Sequence, residues 1–132
     1  MLYVISRGGV EGYTDGQEPV IHLRSTAEAV KKAGLSWVFT EGHADMGYTD
    51  FFDDLKDLDK IDWDLMQARY WHDTNNDPDR TRRRQAEFLV HEFFPWELVS
   101  YIGVYDRSIA ETVGKLLKGD SPEVGVQGGW YY

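Results

Sequence analysis

Arg82-Arg83-Arg84-Gln85-Ala86-Glu87-Phe88-Leu89-Val90 is the stretch whose reading decides this chain. A cluster of cations runs into a short apolar segment of β-strand composition, with a single carboxylate at its head. On an extended strand the side-chain period is two. Gln85, Glu87 and Leu89 then share one face, and Ala86, Phe88 and Val90 share the other. With the apolar face packed inward, Gln85 and Glu87 project together into whatever cleft the sheet lines. A carboxylate enclosed there acts as a base, stabilises a cation or accepts from a sugar hydroxyl. Enclosing it without such a use is costly. The pattern alone favours the plainer alternative, a glutamate on the solvent face of an amphipathic strand.

Working outward, 132 residues make one domain with a real hydrophobic core. No apolar run approaches membrane-spanning length, and the N-terminus lacks a signal-peptide layout. Zero cysteines exclude disulfides and thiolate metal sites and fit a cytoplasmic protein. The net charge of −9 argues against a general nucleic-acid binder. Its distribution says more. Residues 41–64 hold nine acids against Lys56 and Lys60, whereas residues 80–84 hold four arginines and no acid. A basic patch on an acidic protein guides a polyanion to one place. From charge alone, a solvated arginine-rich loop is the plainer reading.

The order of elements predicts an α+β domain. Residues 2–5 read as an opening strand, followed by a glycine-marked loop through Gly8, Gly9, Gly12 and Gly16. Residues 20–23 read as a second strand. A capping box at Ser25-Thr26-Ala27-Glu28 opens a helix that Gly34 closes. Trp37-Val38-Phe39 is a buried strand, and the loop after it carries Glu41-Gly42-His43-Ala44. Short turns follow through Phe51, Phe52, Leu55 and Leu58, and Asp62 caps a helix carrying Leu65, Met66, Arg69 and Tyr70. Residues 72–79 form an exposed loop. A turn after Pro95 precedes a strand over residues 101–105. A second capping box from Ser108 opens a helix ending at Gly119, with Ile109, Val113, Leu116 and Leu117 on one face. Residues 124–126 and 130–132 complete a strand-rich end.

Other chemistries are weakly supported. The acids at 50, 53, 54, 57 and 59 do not follow the spacing of an EF-hand loop, and a solvated face explains them. No His-Glu-x-x-His pair exists, so no metal site is expected. His43 stands apart because its loop directly follows a buried strand, where functional groups are commonly presented.

Several segments together resemble one family. They are residues 1–5 (MLYVI), 16–20 (GQEPV), 37–44 (WVFTEGHA), 57–63 (DLDKIDW), 70–71 (YW), 82–90 (RRRQAEFLV) and 130–132 (WYY). In this order they are similar to the DarT proteins, and the resemblance covers essentially the whole chain. DarT proteins are toxins of bacterial toxin–antitoxin pairs that transfer ADP-ribose from NAD to thymidine in single-stranded DNA. Their antitoxin, DarG, carries a macrodomain that removes the modification. The resemblance implies an ADP-ribosyltransferase-like mixed sheet with short flanking helices. It implies that Glu87 is the catalytic glutamate, holding the nicotinamide ribose and stabilising the oxocarbenium-like sugar. It also implies that Gln85 orients the acceptor, that Arg82, Arg83 and Arg84 clamp phosphate or stack on a base, and that His43 lines the same site. NAD is the expected substrate, with no metal; single-stranded DNA and a DarG-type macrodomain are the expected partners, and no membrane is involved.

The family's N-terminal region, with a histidine and an arginine that bind NAD, lies ahead of the segment where this chain begins. Met1 therefore resembles an internal methionine of a longer member, and the fold is expected to be incomplete at its start. That puts NAD binding by these 132 residues alone in question. An opening strand without an upstream partner also predicts self-association through an uncovered edge. The alternative function is a truncated, catalytically inactive module of the same fold that binds DNA or the antitoxin. A transferase directed at RNA or protein is a third reading.

Overall fold

The computed structural model describes residues 2–117, 119 and 121–132. The reading of Met1 as an internal methionine lies outside these residues, as does part of the expected helix end at Gly119. In chain order the elements are α1 (Leu2–Ser6), β1 (His22–Arg24), α2 (Ala27–Lys32), β2 (Trp37–Thr40) and β3 (Phe51–Phe52). A 3-10 turn (Leu55–Lys60), α3 (Trp63–Gln67), α4 (Arg80–Arg83) and β4 (Phe88–Val90) follow. A 3-10 turn (Trp96–Leu98), β5 (Tyr101–Val104), α5 (Arg107–Leu116), β6 (Glu123–Val126) and a last 3-10 turn (Gly128–Trp130) complete the chain. The class is mixed α+β, with small sheets and short helices. The contacts sort the chain into two compact units, Met1–Thr26 with Pro95–Tyr132, and Ala27–Phe94.

The first unit is built on β5, whose four residues are all buried. It pairs antiparallel with β1 and parallel with β6. The parallel neighbours are joined by α5, which lays Val113, with Ile109, Ala110 and Leu117, against Val99, Ile102 and Val104. Three expectations shift here. Leu116 is 75% exposed rather than on the packed face. The helix opens two residues early because the Asp106 carboxylate accepts from Ile109 N at 3.0 Å, and an anion at that end also meets the helix dipole favourably. Residues 130–132 form no strand: Trp130 closes a 3-10 turn.

The largest correction is at the start. Residues 2–5 are helical, not a strand. Gly8 N donates to Ile5 O at 3.0 Å and Gly9 N to Val4 O at 2.9 Å, the paired bonds of a Schellman cap. Gly8 takes φ of 68°, which glycine adopts without strain, and a Cβ at Gly9 would press on Val4. The glycine pair is thus a helix stop. With residues 2–5 helical, they do not form the uncovered strand edge from which self-association was expected.

The second unit holds the antiparallel sheet β3-β2-β4. Its aromatic side chains stack on one another. Trp37 lies 5.1 Å from Phe88, and Phe39 lies 5.1 Å from Phe52, between ring centroids. Asp62 caps α3, its Oδ1 accepting from Leu65 N at 3.0 Å, which holds buried Leu65 in place. Asp62→Ala is therefore expected to cost about 1 kcal/mol, read as a lower midpoint in urea unfolding with an unchanged slope.

Candidate functional site

The site is assembled at the end of β2, all within the second unit. Thr40 is fully buried. Its hydroxyl donates to Gly42 O at 2.6 Å and accepts from Glu87 N at 3.1 Å, while Thr40 N donates to Glu87 O at 2.9 Å. The ladder between β2 and β4 thereby continues one residue past β4 and fixes the Glu87 backbone. The loop leaving β2 then folds back on itself. Thr49 Oγ1 donates to His43 O at 2.8 Å, and His43 N donates to Arg82 O at 3.1 Å. From this loop Ala44 N donates to Glu87 Oε2 at 3.1 Å. One carboxylate oxygen is gripped, and among the described residues no hydrogen bond reaches the other.

Glu87 is exposed, and Phe88 and Leu89 are 36% and 37% exposed. Glu87 is thus solvent-exposed rather than enclosed as expected, and β4 is the edge strand of its sheet. An apolar depression of about 490 Å³ lies elsewhere, lined by Trp37, Val38, Leu89, Val90, His91 and neighbours. Its lining contains no member of the Glu87 constellation.

The arginines are not the solvated loop that charge alone suggested. Residues 80–83 form the helical turn α4, and Gln85 follows within the turn that ends it. The amide Nε2 of Gln85 donates to Thr81 O at 3.0 Å, so Gln85 and Glu87 do not lie on one continuous strand. Arg82 donates through Nε and Nη2 to Asp79 at 2.8 and 2.6 Å and through Nη1 to Glu41 at 2.7 Å. These bonds hold the Arg82 guanidinium firmly protonated and hold the Glu41 and Asp79 carboxyls below their usual range, against the opposing effect of burial. Arg83 meets Asp77 at 2.5 Å and Asp62 at 3.3 Å, and Arg80 meets Asp77 at 3.8 Å. Arg84 has no carboxylate partner among the described residues, and its Nε is buried without a hydrogen bond.

His43 is half-buried and its Nδ1 accepts from Asp45 N at 3.2 Å, which places the ring proton of the neutral form on Nε2. His43, Ala44, Arg82 and Glu87 are thus brought together through backbone and side chain. Gln85 stands beside them on the α4 turn. Thr40, Glu41, Thr49 and Asp79 belong to the constellation without having been singled out; of these, only Asp79, three residues before Arg82, carried a local signal.

Among the described residues, no three His, Asp or Glu side chains are grouped to hold a metal ion. What remains is a carboxylate with one fixed and one available oxygen, and, three residues earlier in the chain, a guanidinium without a carboxylate partner among the described residues. Such a pair suits a developing cation on one side and an anion on the other.

Comparison with known proteins points to one family. A family model described as "ssDNA thymidine ADP-ribosyltransferase, DarT" matches residues 1–132. A DNA ADP-ribosyl transferase of Thermus sp. (strain 2.9) is 44% identical over 136 residues, covering 100% of this chain and 63% of the relative. The solved structure of Thermus sp. 2.9 DarT with NAD+ superposes with a TM-score of 0.92 at 42% identity, covering 99% of this chain and 66% of that one. The complex of Thermus sp. 2.9 DarT with ADP-ribosylated single-stranded DNA gives 0.92 at 43% identity, covering 99% and 63%. The chain spans slightly under two thirds of the length of the Thermus relative it matches. Because that family model matches residues 1–132, the whole of the sequence given, this chain belongs to the DarT family.

Proposed function

We propose that these 132 residues are a single DarT-like domain bearing the glutamate half of a transferase that moves ADP-ribose from NAD to thymine in single-stranded DNA. The observation that carries this reading is the Glu87 carboxylate, anchored by Ala44 N–H at one oxygen and available at the other. In the reaction the bond between the nicotinamide and its ribose breaks. Nicotinamide leaves with the electron pair, the sugar carbon bonds to the thymine base, and the displaced base proton passes to water. Glu87 opposes the positive charge that grows on the sugar. Arg84 supplies the phosphate contact and His43 and Gln85 border the acceptor. Arg82, all three of whose guanidinium nitrogens donate to Glu41 or Asp79, is not a free phosphate clamp, and Arg83 is paired with Asp77 and Asp62.

Support for NAD and for single-stranded DNA comes from the Thermus structures, one in complex with NAD+ and the other with ADP-ribosylated single-stranded DNA. A DarG-type macrodomain antitoxin and a cytoplasmic setting belong to the same reading; among the described residues no helix is long and apolar enough to cross a membrane. The exposure of Glu87, away from the apolar depression, favours a second reading: an inactive module that binds DNA or the antitoxin.

The test is incubation of the purified chain with NAD labelled in its ADP-ribose and single-stranded oligonucleotides with and without thymine. Thymine-dependent label is the expected result. Oligonucleotide binding that weakens steeply with salt and leaves no label would select the inactive module. Label on RNA or protein alone would overturn the DNA substrate.

A further inference from the structure

We propose that Arg82 is a positioning residue, which aims the Ala44 N–H at Glu87 by bracing the loop between Glu41 and Thr49. This rests on the transferase reading in assigning Glu87 its role, but the brace itself is a matter of geometry. Arg82 holds the loop at three places. Its Nη1 donates to Glu41 Oε1 at 2.7 Å at the start of the loop and to Thr49 Oγ1 at 3.3 Å at its end. Its carbonyl accepts from His43 N at 3.1 Å in the middle. The next amide along is that of Ala44, the one that grips Glu87.

Asp79 fixes the other side of the guanidinium with two bonds, so the brace is anchored to α4 and not to solvent. Gly42 completes it. A Cβ at that position would collide with Arg82 Nη1, so the guanidinium occupies the space that a side chain would take. Two carboxylates against one guanidinium, whose side chain is 11% exposed, leave no free positive charge for a nucleic-acid phosphate. The Arg82 guanidinium therefore acts on the carboxylate through the loop.

Amide hydrogen exchange on the intact chain, followed by NMR, tests this. Glu87→Gln defines the signal: weakening the charge-assisted bond should speed exchange at Ala44 by about tenfold. Gly42→Ala and Glu41→Ala, with Glu87 intact, should produce a similar rise, and Glu41→Gln, which keeps an acceptor, a smaller one. The His91 amide, bonded to Ser36 O at 2.9 Å in the same sheet, should change far less. Should Gly42→Ala fail to fold, the graded Glu41 pair decides. Ala44 exchange at the wild-type rate in these variants would overturn the brace, as would equal rises at Ala44 and His91, which mark general loosening. Those results leave the transferase reading standing. Absence of thymine labelling with the Ala44 effect intact would remove the transferase reading and keep the brace.

Discussion

Glu87→Gln is expected to lower thymine-dependent labelling by about 10²–10³-fold while leaving the fold in place. The substitution separates position from charge. Glutamine keeps a carbonyl oxygen that can accept from Ala44 N, and Thr40 continues to hold the backbone of residue 87. On the proposed reading, what disappears is the negative charge that would face the ribose as nicotinamide departs. A uniform binding role would raise KM and leave kcat, whereas a role confined to the transition state lowers kcat. The expected split is therefore a fall in kcat with KM for NAD little changed. Because Glu87 is exposed, its replacement should move stability by less than about 0.5 kcal/mol, so a melt distinguishes lost chemistry from lost folding. Wild-type labelling by Glu87→Gln would strip the residue of its role.

The elements that were legible in the sequence are those whose signal is local. Trp37-Val38-Phe39 reads as a strand because its residues suit a pleated, half-buried surface, and the helix ended by Gly34 is closed by a glycine at φ of 71°. Asp62 announces its cap by position alone. At residues 2–5 the same kind of reading fails, because a four-residue apolar run has no period long enough to tell strand from helix. There the deciding signal lay just downstream, in Gly8 and Gly9. At residues 80–83 the helical turn was hidden by a run of polar residues with no apolar repeat. The arginines then looked solvated, since Glu41 and Asp62, which pair with them, stand 41 and 21 positions away from Arg82 and Arg83. Glu87 is singled out by its place at the head of an apolar strand and by the family resemblance, but the group that holds its carboxylate is a backbone N–H, which no residue identity advertises.

Arg82→Ala is expected to cost about 2–3 kcal/mol of stability and to flatten its dependence on acid. Removing one partner of an enclosed ion pair costs more than the pair contributes, because the remaining charge stays desolvated. Here two carboxylates are left, Glu41 with its side chain 18% exposed and Asp79 with 40%. Asp79 regains water readily, so the loss falls below the roughly 3–5 kcal/mol of a fully buried pair. Both carboxyls have folded pKa values depressed, first of all by the hydrogen bonds from Arg82. Their contribution is therefore complete above the ordinary values of 4.5 and 3.8 and is lost as pH falls through the lower folded values. The wild-type chain should lose stability steeply below about pH 4.5, and Arg82→Ala, already lacking the pair, should show a shallower acid limb in urea unfolding series. Arg82→Lys should recover little, since an ammonium cannot meet Asp79 through two parallel N–H bonds while also reaching Glu41. Parallel acid limbs for wild type and Arg82→Ala would mean that the three groups do not interact in solution as their distances require.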